Sequence, residues 1–588
     1  MKDKRTVATE RIDDLPALIA WLKQMKVDTI IDDHTHAHGL WGGISKGLLG
    51  LTWIGHMIMT GDHRKVRLNE MLQRNRRSLG AMLGCEIRAS EFNDDRLGRL
   101  LKALGSGETA EDIEREMSAQ CLRYYRLPTK QATVRIDTTG VAVQGDDDGG
   151  GVIAYGYSKD QRPDLKQFKV LMATLDPLGM PLLTQLVAGN SSDDGCYVPA
   201  YEEAIKTTGT DLRVIGDSKM SALATRAHLH SGGARYLTPL ALVGHTQADL
   251  TQWVDAAVTG TVALTRVKSA SADILGRGSE VVREQTYRAE DRARTVTWQE
   301  RVLLMQSTAY ARSQEAGLRQ RLTTARTALT ALTAGKGKGH RRYPTAAALH
   351  AVCHRILEKH GVVGLLTVTL ACERQTRMGH AHCGRPSKHT PQPSQCLSAE
   401  VRYQVSKIHL DSQALAARIA RLGWRAYVTN ASAQDWSLNE VVLAYRGEWR
   451  IEHGFHLLKG SPLSLAPVYL TKTEHIRGLL CLLSLAVRAL TLIRYTVSQA
   501  LHQAGETLKG LSPVYPHVKT KSPSAAMILA AFASISLTFV QQADQYFVPV
   551  SPLTHLQRRL LALLNLPADL YQRIVDILTN HPPFLSEA

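Results

Sequence analysis

The sequence has few cysteines, few aromatic residues and no long apolar runs. Its eight cysteines are scattered along 588 residues and form no Cys-x-x-Cys pair, so we expect reduced thiols and no disulfide framework. No apolar run reaches the roughly 18 to 20 uncharged residues that span a bilayer. Residues 48–59 are too few, and residues 479–492 are interrupted by Arg488. Both segments therefore predict buried helices, and we expect no membrane partner.

The amino-terminal segment also lacks the apolar core of a secretory signal. It begins with basic residues, and Asp13 and Asp14 follow where an apolar run would stand. We therefore expect a cytoplasmic protein, associated with the nucleoid when it is bound to DNA.

Negative charge is the other deficit. The chain has 71 Lys and Arg residues against 54 Asp and Glu residues, a net charge of +17. Basic proteins of this size usually bind a polyanion, most often nucleic acid. The length exceeds what one hydrophobic core can serve and predicts about three to four domains.

Apolar periodicity divides the chain into five parts. Residues 1–128 have helical period, with helices expected at 15–25, 44–59, 70–82 and 110–127. This helical domain fits either a DNA-end reader or an oligomerisation module. The remaining parts are 129–240 and 401–475, which together form one α/β core, an insertion at 241–400, and a helical carboxyl-terminal region at 476–588.

The central part changes to the period of β-strands. Strands are predicted at 134–143, 167–175, 181–187, 212–216, 234–237 and 424–428, with helices at 201–206 and 221–229. Three hairpin-linked strands followed by alternating helices and strands predict a mixed sheet with helices on both faces. Within the insertion we expect strands at 261–267, 284–305 and 364–371, helices at 318–332 and 346–359, and a surface loop at 374–393.

Carboxylates stand at the ends of two predicted strands. Asp137 ends the buried half of the first strand and Asp217 follows the fourth. A third, Glu452, lies on a predicted helix at 445–459, where Tyr445, Glu452 and Lys459 are spaced by seven residues and share one face. Buried carboxylates are costly unless they are paired or bind a cation. Three that converge would offer the oxygen ligands that Mg²⁺ or Mn²⁺ prefers.

Several motifs in order resemble bacterial insertion-sequence transposases. They are the segments at 136–139, 155–167, 189–190, 215–220 and 445–459, with Trp-Gln-Glu-Arg at 298–301 and Cys-Gly-Arg-Pro at 383–386. The chain is similar to the DDE branch, which has an RNase H-like catalytic domain, a β-rich insertion and a Tyr-Arg-Glu-Lys signature. The similarity covers roughly residues 10 to 500.

The resemblance implies roles for individual residues. Asp137, Asp217 and Glu452 would be the catalytic ligands of two Mg²⁺ ions, for which Mn²⁺ would substitute. Tyr445 matches the signature tyrosine, and Lys459 matches the lysine that contacts the backbone of the transposon end. The arginine position holds Glu448; whether Arg446 or Arg450 replaces that arginine stays open, and Arg450 is retained as a DNA contact.

Other residues are candidate DNA contacts with structural alternatives. Lys159, Arg162 and Lys166 would hold scissile phosphates or form a structural turn, and Trp298 would stack on a displaced base or belong to the core. Phosphate-backbone contacts are also expected from a basic loop, Lys336, Lys338, Arg341 and Arg342. Spacing favours a loop over a zinc site for a further set, Cys372, His380, His382, Cys383, His389 and Cys396.

The combined reading is a DNA transposase that cuts the ends of an insertion sequence and joins them to target DNA. It would act on double-stranded DNA, as a homodimer on paired ends, because two ends must be cut and joined together. Two alternatives stay open: an RNase H-like nuclease without strand transfer, and a catalytically inactive DNA-binding protein derived from a transposase.

Overall fold

A computed structural model describes most of the chain. The described residues are 5–36, 41–144, 149, 151–159, 161–241, 245–289, 295–333, 343–380, 394–542 and 545–580. The amino-terminal part consists of one strand and six helices: β1 (Arg5–Arg11), α1 (Leu15–Gln24), α2 (Val27–His34), α3 (Lys46–Thr60), α4 (Lys65–Leu83), α5 (Asp94–Leu104) and α6 (Thr109–Tyr125).

The next segment alternates between strands and helices. It contains β2 (Ala132–Ala142), β3 (Gln167–Leu175), β4 (Met180–Ala188), α7 (Tyr197–Thr208), β5 (Leu212–Gly216), α8 (Leu223–Ser231) and β6 (Arg235–Pro239). Short 3₁₀ helices precede α7, at Asp193–Cys196, and follow β5, at Ser218–Ser221.

The segment predicted as an insertion mixes helices and long strands. It contains α9 (His245–Thr259), β7 (Thr265–Lys268), β8 (Ile274–Arg288), β9 (Thr295–Ser307), α10 (Thr308–Thr330), α11 (Ala346–Lys359), β10 (Leu366–His380) and β11 (Ser394–Leu410).

The last part returns to the central sheet and then becomes mostly helical. It contains α12 (Ser412–Ala420), β12 (Trp424–Thr429), α13 (Leu438–Arg446), α14 (Trp449–Lys459), α15 (Thr473–Ala504), α16 (Ala525–Ala530), β13 (Ser536–Gln542), β14 (Gln545–Phe547), α17 (His555–Leu563) and α18 (Leu570–Asn580).

One sheet of nine strands organises the molecule, in the order β4-β3-β2-β5-β6-β12-β9-β8-β7. Strands β2 to β4 are antiparallel neighbours, whereas β5 runs parallel to β2 and β6 parallel to β5. Strand β12 lies between β6 and β9 and is antiparallel to both. The strands β7 to β9 of the predicted insertion therefore continue the same sheet.

Both faces of the sheet are covered, because successive residues of its central strands enter different cores. Ile215 and Leu237 pack with apolar residues of α13, while Val214 and Tyr236 belong to the main core. Alternation of this kind is what a strand buried on both faces requires. The mixed α/β architecture predicted from the sequence is confirmed.

Helix α15 lies in the main core and carries a charged group inside it. Arg488 is fully buried and donates to the carbonyl oxygen of Pro181 at 3.0 Å and to Ser118 Oγ at 3.2 Å. Burial raises the pKa of Glu114, whose Oε2 lies 4.0 Å from Arg488, to about 8. By length and composition α15 could cross a membrane, but 94% of its apolar window is buried against the protein, as in a core helix.

The predicted single helix over 445–459 was wrong. Helix α13 ends at Arg446, and α14 begins at Trp449. A Cβ atom on Gly447 would collide with the guanidinium groups of Arg135 and Arg450, so a larger residue there would have to displace them. Because glycine also disfavours a helix interior, the break falls there, and the seven-residue spacing of Tyr445 and Glu452 no longer places them on one helix face.

Three further expectations were also wrong. Within 284–305, the described residues 284–288 and 295–305 belong to two antiparallel strands, β8 and β9. The loop expected over 374–393 is strand as far as His380, where β10 pairs with β11. The carboxyl-terminal region is not helical throughout, since β13 pairs with β1 at the opposite end of the chain and with β14.

Candidate active site

The sheet register brings Asp137 and Asp217 together. Strands β2 and β5 are parallel neighbours, and their last aligned pair is Ile136 with Gly216. Asp137 and Asp217 are the residues that follow this pair, so Asp137, in the middle of β2, lies beside Asp217 at the carboxyl end of β5. The two carboxylates are close enough to interact electrostatically, and the charge of Asp217 contributes to the raised pKa of Asp137. The convergence of the two aspartates is thus a consequence of strand order.

The surroundings of Asp137 disfavour a negative charge on its carboxyl group. Burial first, and then the nearby charges of Asp217 and Glu448, raise its pKa to about 6 against the opposing effect of the Lys159 ammonium. Its Oδ1 accepts a hydrogen bond from the Thr138 amide at 2.7 Å and lies 4.0 Å from Lys159 Nζ. The carboxylate therefore lacks sufficient positive charge in its surroundings.

Asp217 is held by two donors to one of its oxygens. Its Oδ1 accepts from the phenol of Tyr197 at 2.5 Å and from the amide of Lys219 at 2.8 Å, the second bond capping the 3₁₀ helix that follows β5. Its main-chain carbonyl accepts from Thr238 Oγ1 at 2.6 Å. Side chain and main chain of this aspartate are both fixed.

In each aspartate, Oδ1 is the oxygen that accepts the side-chain hydrogen bonds described above. In the described part of the chain, no hydrogen-bond donor reaches Oδ2 of Asp137 or Oδ2 of Asp217. Two carboxylates with free oxygens and a shortage of neighbouring cations match the hard oxygen ligands that Mg²⁺ and Mn²⁺ prefer. The residues present fit a divalent cation.

Of the two helical carboxylates, Glu448 interacts with the aspartate pair directly, which the sequence did not predict. Glu448, in the break before α14, is half-buried, whereas Glu452 in the first turn of α14 is exposed. Burial raises the pKa of Glu448, and Glu452 and Asp217 raise it further, while a hydrogen bond from Tyr445 lowers it. Glu448 therefore interacts electrostatically with both Asp217 and Glu452.

A third ligand is not in place beside the aspartates. Among the described residues, no three His, Cys, Asp or Glu side chains already form a group able to hold a metal ion. The assignment of Glu452 as the third ligand stays a prediction.

Tyr445, Lys459 and Arg450 all contact the protein. The ring of Tyr445 packs on that of Tyr427, with centroids 4.8 Å apart. Lys459 Nζ donates to the carbonyl oxygen of Gly140 at 2.7 Å. Gly140 lies on β2, the strand that carries Asp137. Arg450 lies over the Trp449 ring, 5.2 Å from its centroid. Their roles as DNA contacts stay predictions.

Of the three residues predicted in the turn after β2, Lys159 lies at the aspartates. Besides approaching Asp137, its ammonium donates to the carbonyl oxygen of Thr138 at 2.8 Å. Arg162 forms an exposed ion pair with Asp164 at 2.8 Å, and Lys166 lies over the ring of Tyr155 at 6.0 Å. The structure thus brings Lys159 to the candidate site.

Trp298 belongs to the core, and stacking on a displaced base is not compatible with its position. Only 4% of the residue is exposed. Its indole donates to the Tyr236 hydroxyl at 2.8 Å and its ring stacks on His230 at 5.7 Å. The alternation of apolar residues along β9 was the signal for this burial.

Two sets of predicted residues cannot be placed in the same way. The basic loop with Lys336, Lys338, Arg341 and Arg342 lies outside the described residues. In the alternative zinc set, Cys372 is an exposed free thiol, and the other side chains lie outside the described part.

The sequence did not reveal the residues that support the site. Arg135 is 2% exposed, donates to Asp176 Oδ2 at 2.7 Å, and its guanidinium also bonds the carbonyl oxygen of Ala444 at 2.5 Å. It thereby ties the end of α13 to β2, two residues before Asp137. Asp193 accepts from Lys169 at 2.7 Å and lies 3.9 Å from Lys159. A charged residue two positions from Asp137 on a buried strand was the available signal for Arg135.

A cleft of about 400 Å³ opens between α10, β12 and the α13–α14 break. Both Glu448 and Glu452 line this cleft. Arg425 and Tyr310 also line it, with the guanidinium of Arg425 over the ring of Tyr310, 4.3 Å from its centroid. The cleft therefore joins the insertion helix α10 to the region of the candidate site.

A mixed sheet with paired aspartates on parallel neighbouring strands defines a domain suited to divalent-cation phosphoryl transfer. Comparison with protein families identifies it further: residues 128–488 match the model of the transposase DDE domain. Since the match covers more than half of the chain, the protein belongs to the DDE transposase family.

Comparison with individual proteins adds little. No curated protein matches the chain. Among solved structures, a similar one is the cryo-EM structure of a piggyBac transposase synaptic complex with hairpin DNA, at 12% identity and a TM-score of 0.26. The alignment covers 51% of this chain and 63% of that chain, so the protein spans less than two thirds of the length of this relative.

Proposed function

We propose that the protein is a DNA transposase that cuts the ends of a bacterial insertion sequence and joins them to target DNA. The observation that carries the proposal is the parallel register of β2 and β5, which places Asp137 beside Asp217 within the segment that matches the transposase DDE domain. The strand order β4-β3-β2-β5-β6 supports an RNase H-like core.

In this proposal the two aspartates and Glu452 hold two Mg²⁺ ions, for which Mn²⁺ substitutes. When bound, such ions activate the attacking oxygen and stabilise the leaving oxygen of an in-line phosphoryl transfer. The free Oδ2 atoms of the aspartates would be ligands. Glu452 would complete the set when DNA and cations draw the α14 carboxylate towards the sheet.

The protein's cations would position the DNA. Lys159 lies 4.0 Å from Asp137 Oδ1, where its ammonium would meet a phosphate oxygen once a divalent ion neutralises the carboxylate. Lys459, Arg450, Arg162 and Lys166 would contact the backbone, and binding would weaken as salt rises because each phosphate contact releases counterions. The net charge of +17 favours the same polyanion.

We further propose that the active form is a homodimer on paired ends, and that it acts in the cytoplasm on nucleoid DNA. A single copy offers one aspartate pair, whereas an element has two ends that must be cut in concert. Sedimentation of the full chain, with and without DNA that carries the inverted repeats flanking its gene, tests the assembly: mass of one chain on paired ends would contradict it.

A cleavage and joining assay tests the function. Full-length protein is incubated with Mg²⁺ and DNA that carries those inverted repeats. We expect cuts at the repeat ends and joined products, both lost in Asp137→Asn and Asp217→Asn. The control Asp569→Asn removes an exposed carboxylate paired with Arg573 on α18 and should leave both activities unchanged.

The assay also separates the alternatives. Indiscriminate hydrolysis without joined products would indicate an RNase H-like nuclease. Specific binding to the repeats without cleavage, unaltered by Asp137→Asn, would indicate an inactive DNA-binding descendant of a transposase.

A further inference from the structure

Tyr197 is a buried residue that contacts the candidate site directly and is not itself one of the carboxylates. It is the first residue of α7, and 1% of it is exposed. Its hydroxyl donates to Asp217 Oδ1 at 2.5 Å, across 20 residues of sequence. Because an ionised carboxylate only accepts hydrogen bonds, the phenol is the donor in this bond.

The residue before Asp217 is small enough to admit this ring. A Cβ atom on Gly216 would lie 2.8 Å from Tyr197 Cε1 and 2.8 Å from Met220 Sδ. Carbon atoms do not approach so closely without displacement of one of them. The strand end therefore accommodates the phenol ring because residue 216 is glycine.

Two donors on Oδ1 fix the orientation of the Asp217 carboxylate. The Lys219 amide supplies one at 2.8 Å and Tyr197 supplies the shorter one. With Oδ1 occupied, rotation about the Cβ–Cγ bond would break both bonds, and Oδ2 is left for a ligand.

We propose that Tyr197 is a positioning residue, which holds Asp217 Oδ1 so that Oδ2 is presented to the divalent cation. The inference rests on the proposed function, because it assumes that Asp217 binds a cation. Partners of this kind orient metal ligands, and their loss typically costs about 10- to 100-fold in metal affinity.

Mn²⁺ binding to the full chain, followed by electron paramagnetic resonance, tests the proposal in the absence of turnover. Tyr197→Phe keeps the ring and removes the donor, and we expect binding on the order of tenfold weaker or more. The matched control is Tyr201→Phe. Tyr201 lies one turn further along α7, is also 1% exposed, and donates to the Gly232 carbonyl at 2.9 Å, away from Asp217. Its loss should leave Mn²⁺ binding unchanged.

A cleavage assay over a range of Mn²⁺ concentrations gives a second readout. Tyr197→Phe should raise the half-saturating Mn²⁺ concentration by a similar factor, while saturating Mn²⁺ restores most of the rate. A general loss of folding would instead lower the rate at every concentration. Gly216→Ala, which displaces the ring through its added Cβ, should raise the half-saturating concentration too and covers the case in which Tyr197→Phe fails to fold.

Asp217→Asn separates the two levels of the argument. If Asp217→Asn weakens Mn²⁺ binding but Tyr197→Phe and Gly216→Ala bind as the unmodified protein does, the positioning role is overturned and the proposed function stands. If Asp217→Asn binds Mn²⁺ unchanged, Asp217 is not a ligand, and the proposed function fails together with the inference.

Discussion

Asp137→Asn is expected to stabilise the metal-free protein while it abolishes cleavage. Asp137 lies in the folded protein with 25% of its side chain exposed and with Asp217 and Glu448 close by. Burial is the main reason that its pKa rises from 3.8 to about 6. Asparagine is nearly the same size, and its oxygen can still accept from the Thr138 amide. The substitution therefore removes a disfavoured charge and keeps the packing.

The size of the effect follows from the pKa. A rise from 3.8 to about 6 corresponds to about 3 kcal/mol of free energy of unfolding. The folded protein binds this proton more tightly than the unfolded chain does, so the stability it contributes is present below pH 3.8 and lost as pH rises through 6. The advantage of Asp137→Asn is thus about 3 kcal/mol at pH 8 and about half of that at pH 5.

Calorimetry in EDTA, at pH 8 and pH 5, measures this difference. An unfolding entropy of about 2 cal/mol/K per residue, summed over the chain, converts about 3 kcal/mol into a Tm increase of about 2 °C at pH 8. Mg²⁺ at about 1,000 times its Kd should reverse the order, because it adds about 4.1 kcal/mol only to the protein that binds it.

Asp193→Asn is the control with the opposite sign. Burial would raise the pKa of Asp193, but the hydrogen bond and charge of Lys169 outweigh it and lower the pKa. Its pairing stabilises the protein in full above pH 3.8, so Asp193→Asn should destabilise the protein by similar amounts at pH 8 and pH 5. An Asp137→Asn variant less stable than the unmodified protein in EDTA at pH 8 would refute the reasoning.

Three other perturbations give distinct outcomes. Glu452→Gln should abolish cleavage. Glu448→Gln removes a charge that raises the pKa of Asp137 and should therefore lower the pH at which cleavage is half-maximal. The pH profile of cleavage checks both variants, and an unchanged profile for Glu448→Gln contradicts the second prediction. Glu300→Gln leaves the buried guanidinium of Arg226 without its charged partner and should cost about 3 to 5 kcal/mol in urea unfolding; no loss would mean that the charge finds another partner. Lys459→Met should reduce the slope of DNA affinity against salt by about one; an unchanged slope with a lower Tm would indicate a purely structural lysine.

The parts of the fold that the sequence predicted are those governed by local pattern. Strand β3 was predicted with its observed bounds, and β5 likewise, because apolar residues fill them and turn residues bound them. Asp217 was predicted because it follows an apolar strand, and Asp137, which lies in the middle of β2, was predicted at the end of the buried half of that strand. Local pattern was sufficient for both.

The remainder depends on contacts between distant segments. The break at Gly447 is set by two arginines, one of them more than 300 residues away. Tyr197 reaches Asp217 only because α7 packs against the sheet. The charge of Glu448 affects the pKa of Asp137 only because the fold brings the two residues close together. No periodicity within a window of the chain contains these contacts.

The pairing of β1 with β13 has a consequence for synthesis. Arg11 aligns with Ser536, so the ribosome must add about 525 residues before the first strand meets its partner. At about 5 to 20 residues per second, that takes on the order of half a minute to two minutes. Throughout that time β1 is an unpaired edge, the kind of surface that templates aggregation. A nascent chain would therefore depend on holding factors until translation is nearly complete, and premature termination would leave a product with that edge permanently uncovered.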